Sequence, residues 1–217
     1  MSSKNILVIL SGCGVYDGAE IHESVLTLLA LARHGALVTI AAPNKDQMHV
    51  INHATGDVMS ESRNVMVEAA RIARGQITDL SEIQAGDYDA VFLPGGFGAA
   101  KNLCTFATEG ADCTIDPEVQ RVLKSFHDAA KPIGAICIAP AVLVKALGSV
   151  SVTIGNDSGT ADALTAMGGT HVDRPVTECL VDTDNRVVTA PAYMYETSID
   201  QVAVGIDAAV KALVEMA

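Results

Sequence analysis

Residues 132–140 read Pro-Ile-Gly-Ala-Ile-Cys-Ile-Ala-Pro, which sets one cysteine between a short apolar run and a proline. Small residues, Ala135 and Ala139, flank Cys137 at minus two and plus two. A nucleophile elbow needs small residues there, because its strand-to-helix turn is so sharp that bulk would clash. Pro140 suits the first turn of the helix that would follow. A thiol at a helix N-terminus meets unpaired N–H groups and the positive end of the dipole. Its pKa is then expected to fall, to roughly 4–7 at comparable sites. An ordinary buried cysteine fits the same local pattern, so this segment alone leaves both readings open.

Two further segments bear on the choice. Leu93-Pro94-Gly95-Gly96-Phe97-Gly98 leaves backbone N–H groups uncovered. Gly95 and Gly96, with the N–H of Ile138, are candidates for an oxyanion hole, although a tight turn after a strand explains the glycines as well. Asp17-Gly18-Ala19-Glu20-Ile21-His22-Glu23 opens a helix. Glu20 and Glu23 are spaced i,i+3 and share a face. Acids in a first turn ordinarily serve the dipole, but one of this pair can instead face the thiol. His22 points about 100° away from Glu23 around the helix, at the surface or in a supporting position. Cys13 is a further candidate neighbour of Cys137, with disulfide formation conditional on geometry. Cys104, Cys113 and Cys179 read as bystanders. The five cysteines fit neither a zinc set nor a CxxC pair, so no metal site is expected.

These residues need a scaffold. Apolar runs at Ile6–Leu10, Leu37–Ala42, Ala90–Leu93, Pro132–Ile136 and Val150–Ile154 lack polar alternation and read as buried strands. Helical patterns occupy Ala19–His34, Val65–Arg74, Asp116–Ala130, Pro140–Leu147, Thr160–Met167 and Ile199–Met216, with Gly35 and Gly75 as stops. His49–Asn52 with Asp57–Met59, and Cys179–Asp182 with Arg186–Ala190, read as hairpins. The alternation implies a flavodoxin-like α/β three-layer sandwich, a mainly parallel sheet with helices on both faces. Active sites of such folds sit at the carboxyl ends of the strands, where the Ser11–Gly18, Pro94–Gly98 and Ile136–Pro140 loops fall. No repeat or linker divides residues 1–217, which are read as one domain.

The chain has 217 residues, 49% of them hydrophobic, and a formal charge of −12. That charge repels phosphate backbones and anionic lipid, so neither nucleic acid nor membrane is an expected partner. No apolar stretch reaches the ~18 residues of a membrane span. Free thiols imply a reducing compartment, most simply the cytoplasm.

Taken in order, Gly18-Ala19-Glu20…Glu23, Leu93-Pro94-Gly95-Gly96 and Ala135-Ile136-Cys137 resemble the ThiJ/PfpI superfamily, the class I glutamine amidotransferase-like fold. The likeness runs from about Asn5 to Val214. Longer strings, Ser11–Glu23, Val50–His53, Pro94–Asn102 and Cys137–Pro140, are similar to its ElbB-type branch, also called sigma cross-reacting protein 27A. The resemblance implies a cysteine nucleophile at Cys137, a glutamate on that thiol at Glu23 and an oxyanion loop at Gly95 and Gly96. It implies glyoxalase activity without added cofactor, a link to isoprenoid biosynthesis, a small aldehyde substrate and a homodimer.

The departures from the family pattern limit the chemistry. Histidine is missing at the two positions where related proteins carry it, here Ile138 and Gly155, and no late His-x-Glu pair exists. Amidotransferase and protease reactions need such a base; thiol attack on an aldehyde needs less help, since no amine must leave. The reaction the resemblance implies, glyoxal or a similar α-oxoaldehyde to a hydroxy acid such as glycolate, fits this limit, with Glu23 relaying protons. A redox-sensing or partner-binding protein that keeps the reactive cysteine remains the alternative, as does other cysteine chemistry on a larger metabolite.

Overall fold

Strand β1 (Asn5–Ile9) is apolar without alternation because both of its faces are covered. Ile6 and Val8 enter a core shared with α1 (Ile21–Arg33), α2 (Val65–Ile72) and α7 (Ile199–Met216). Leu7 and Ile9 enter a second core shared with α4 (Pro117–Asp128) and α5 (Pro140–Leu147). The computed structural model describes residues 3–217. Its remaining strands are β2 (Leu37–Ala42), β3 (Thr78–Asp79), β4 (Ala90–Leu93), β5 (Ile133–Ile136), β6 (Ser151–Val152), β7 (Thr170–His171), β8 (Leu180–Asp182) and β9 (Val187–Ala190). A short α3 (Phe106–Glu109) and α6 (Ser158–Ala166) complete the helices.

Seven strands pair in the order β3-β2-β1-β4-β5-β9-β8, all parallel except the β8–β9 hairpin. The result is a three-layer α/β sandwich. From β1 the sheet grows through β2 and β3 on one side and through β4, β5 and β9 on the other. Helices that cross to opposite faces must part between β1 and β4, which opens a crevice at the carboxyl ends of those strands. Caps fix where the helices begin. Asp116 accepts the N–H groups of Glu118 (3.0 Å) and Val119 (3.3 Å) and also holds Lys45 Nζ at 2.7 Å, with Pro117 in the first turn.

Most expected elements are present, several with the bounds read from the sequence. The first strand begins one residue early, and α1 starts only after Glu20, which caps it. The His49–Met59 segment forms a single Ile51–Val58 bridge in place of two strands. The Val150–Ile154 strand is a correction: it contributes only Ser151–Val152, and these pair with β7 in a separate two-stranded sheet. Two-residue strands such as β3 and β7 are too short to leave a periodic signature. A π-helix at Ala99–Leu103, following the glycine loop, is also new. No helix among the described residues is long and apolar enough to cross a membrane.

Phe126 on α4 is fully buried in the second core. Phe126→Ala is expected to lower unfolding free energy by about 3–5 kcal/mol in a urea titration. A loss below about 1 kcal/mol would mean that α4 does not seal that face.

Candidate active site

Cys137 follows β5 directly, and its backbone has φ +60, a left-handed conformation that a residue with a Cβ seldom adopts. Such strain persists only where surrounding structure over-determines it. Here the Cys137 N–H donates to Ala190 O at 3.0 Å, extending the β5–β9 ladder one residue beyond the strand. The chain then turns at once, with Ala139 N–H on Ile136 O at 3.0 Å, and α5 begins at Pro140. This is the elbow the sequence predicts.

Glu23, in the first turn of α1, is fully buried and reaches the thiol. Its Oε2 accepts the Gly95 N–H at 3.0 Å and its Oε1 accepts the Tyr193 N–H at 3.1 Å. The carboxyl is thus clamped between the loop after β4 and the loop after β9. Gly95 is required by this packing. A Cβ there would lie 2.4 Å from Cys137 Cβ, 2.6 Å from Glu23 Oε2 and 2.9 Å from Cys137 Sγ. The turn from Ser11 to Gly18 is pinned by buried Asn102, whose Nδ2 donates to Ser11 O (2.8 Å) and Asp17 O (2.9 Å).

Burial pushes the Glu23 carboxyl up to about 7, against the pull of the Tyr193 and Gly95 N–H groups. The Cys137 thiol is also pushed well above its ordinary value, first by burial and then by the charge of Glu23. N–H groups of Gly96 and Ile138 at the sulfur pull the other way and do not prevail. The expectation of a depressed thiol pKa is therefore corrected. A helix dipole acts through a terminus that solvates the anion, and here complete burial outweighs it. The proton lost near neutrality is therefore that of the Glu23 carboxyl, beside a thiol that stays protonated.

The other expected residues separate clearly. Gly96 and Ile138 keep N–H groups facing the sulfur, but the Gly95 N–H is taken by Glu23, so Gly95 does not serve as an oxyanion donor. Glu20 caps α1, its Oε2 accepting the Glu23 N–H at 2.6 Å, and it also lines the cavity over the thiol. His22 is exposed, with Nδ1 3.1 Å from Tyr193 Oη. Cys13 lies in the glycine turn with Glu68, Arg71 and Asp17 as its charged neighbours; all five cysteines are free. Tyr193 was not foreseen, because a backbone N–H does its work and no residue type signals that.

The cavity measures about 370 Å³ and is walled by Glu20, Phe97, Cys137, Ile138, Asp157 and Tyr193 among others. None of its lining residues is cationic. A larger hollow of about 570 Å³, along Leu28, Leu37 and Ile77, holds no nucleophile. Among the described residues, no three His, Cys, Asp or Glu side chains converge as metal ligands. The missing family histidine has a structural counterpart. Gly155 has φ +90, and a Cβ there would come within 2.8 Å of the Tyr195 ring.

The DJ-1/PfpI family profile matches residues 6–197. A human relative, "Glutamine amidotransferase-like class 1 domain-containing protein 3, mitochondrial", is 51% identical, the match covering 99% of this chain and 84% of the relative. The rat "ES1 protein homolog, mitochondrial" is 51% identical over 97% of this chain and 83% of its own length. A solved structure from Ehrlichia chaffeensis, described as an "isoprenoid biosynthesis protein with amidotransferase-like domain", has TM-score 0.93 and 40% identity, covering 99% of both chains.

The site predicts two pH effects. Glu23 binds its proton more tightly folded than unfolded, so this group's contribution to stability is full below about pH 4.5 and is lost as pH rises through about 7. Alkylation of Cys137 by iodoacetamide should rise with a midpoint near pH 7, and Glu23→Ala should abolish that step. Superimposable profiles would disconnect the carboxyl from the thiol.

Proposed function

The chain belongs to the DJ-1/PfpI family, and from that membership we propose that it is a glutathione-independent, glyoxalase-like enzyme acting on glyoxal or a similar α-oxoaldehyde. The observation that supports this most is the buried Glu23 carboxyl, poised at about 7, against the Cys137 thiol that opens on the cavity. A general acid–base works best when its pKa lies near the working pH. The role that a histidine fills elsewhere can therefore be carried by Glu23 in its carboxylate form.

In this mechanism Glu23 takes the thiol proton as Cys137 Sγ forms a bond to one aldehyde carbon. The new alkoxide, held by the Gly96 and Ile138 N–H groups, takes that proton back, giving a hemithioacetal. Glu23 then removes the hydrogen on the sulfur-bearing carbon and returns a proton to the neighbouring carbon. An enediol lies between the two steps, and the result is a thioester of the hydroxy acid. Water, deprotonated by Glu23, cleaves the thioester. The carbon–sulfur bond breaks, glycolate leaves and the thiol is restored. No redox partner or cofactor is consumed, because one carbon is oxidised as its neighbour is reduced.

The cavity suits a small neutral electrophile, since Glu20 and Asp157 would repel an anion and no cation offsets them. An amide substrate fits less well: no histidine lines the cavity to protonate an amine leaving group. A redox sensor at Cys137 would need a standing thiolate, and burial opposes one. The ElbB-type assignment and the isoprenoid link are part of this reading, and the isoprenoid link is supported by the description of the Ehrlichia neighbour. So is the homodimer, for which α1 offers Ile21, Val25 and Leu29, spaced by four and 42–49% exposed. We retain the cytoplasm as the compartment for this chain; its human and rat relatives carry "mitochondrial" in their names.

Glycolate formed from glyoxal without glutathione is the test. Cys137→Ala should abolish turnover, and Glu23→Gln should lower it by about 10²–10⁴-fold. Equal rates in wild type and both variants would reject the assignment.

A further inference from the structure

Outside the active site, Cys104 and Cys113 lie diagonally across a short antiparallel bridge. Cys104 closes the π-helix that follows the glycine loop, and its backbone bridges Ile115 in antiparallel fashion. Hydrogen bonds from Asp116 N–H to Leu103 O and from Thr105 N–H to Thr114 O, both 2.9 Å, flank that bridge. This makes Cys104 and Ile115 a non-hydrogen-bonded pair, the closer of the two antiparallel spacings. Cys113 precedes Ile115 by two residues, so it projects from the same face as Ile115 and is the diagonal neighbour of Cys104. Both side chains are buried. The Cys104 thiol donates to Ala99 O at 3.5 Å and the Cys113 thiol to Met167 Sδ at 3.7 Å.

We propose that Cys104 and Cys113 form a dithiol–disulfide couple, a modification site for small hydroperoxides separate from Cys137. Cys113 is the attacking thiol. It sits under a loop whose Glu109, Asp112 and Thr114 face solvent. Contact with Cys104, aided by the charge of Lys145, draws its thiol down to about 7. Cys104 shifts upward in turn, first through the same contact and then through burial, and stays a protonated resolving thiol. The Cys113 thiolate attacks one peroxide oxygen and the O–O bond breaks. With a proton taken up, water leaves and Cys113 becomes a sulfenic acid. Cys104 then attacks that sulfur, its proton leaving with the hydroxyl as a second water. Two thiols and one hydrogen peroxide thus give one disulfide and two waters.

The bond would join the strand after the π-helix to the segment leading into α4. The same π-helix carries Asn102, which holds the Ser11–Gly18 turn beside the active site.

The full chain with Cys137→Ala, treated with hydrogen peroxide, unfolded in N-ethylmaleimide and digested, separates the outcomes. A peptide pair joined through Cys104 and Cys113, lost on treatment with dithiothreitol, is expected. Cys104→Ser should abolish the joined pair and leave Cys113 trappable as a sulfenic acid by dimedone. The proposal is overturned if both thiols remain alkylated after peroxide, or if either bonds to Cys13 or Cys179 instead. Wild-type protein should give the same pair, whatever its activity toward glyoxal.

Discussion

A carboxyl group buried against a thiol is the interaction on which the site depends. Glu23 comes from the helix after β1, Gly95 from the loop after β4, Cys137 from the end of β5 and Tyr193 from the loop after β9. These strands are neighbours in the sheet, in the order β1-β4-β5-β9, and so bring four otherwise remote segments within hydrogen-bond reach. Both carboxyl oxygens are satisfied by backbone N–H groups, which limits the cost of burying the group. Desolvation still prevails and holds its pKa near neutrality. A side chain at Gly95 would occupy the space between carboxyl and sulfur. The glycine loop therefore matters to this site first as room and as a donor to Glu23.

That arrangement changes the meaning of the absent histidine. Where Gly155 stands, the left-handed backbone and the Tyr195 ring leave no place for a side chain. At position 138 an isoleucine packs against both cores. Glu23 is itself fully buried. Poor solvation is what brings a carboxyl into the range where a histidine would titrate.

The sequence made the scaffold legible wherever burial is complete. β2, β4, α5 and α7 have the bounds that uninterrupted apolar runs, prolines and caps indicate. Elements that depend on tertiary pairing were not legible: β3 and β7 have two residues each, and the π-helix has no local signature. The same division holds in the site. Cys137, Glu23 and the glycine loop were visible as residue types in a pattern. The Tyr193 N–H was not, since any residue but proline supplies one. The sign of the thiol shift was missed because a helix N-terminus shows in sequence, whereas the depth of its burial does not.

The raised thiol also bears on which reactions the site can favour. A standing thiolate would react with whatever oxidant or electrophile reached it. A neutral thiol beside a half-ionised carboxyl reacts when proton transfer and carbon–sulfur bond formation occur together, which favours an electrophile that fits the cavity and gives back a proton acceptor. An aldehyde does both, because its oxygen becomes basic as the bond forms. The next step of the proposed reaction, moving hydrogen between adjacent carbons, would use the same carboxyl in the same place. A single group of intermediate pKa could serve each stage of the proposed reaction without rearrangement, and the clamp from Gly95 and Tyr193 holds that group in one place.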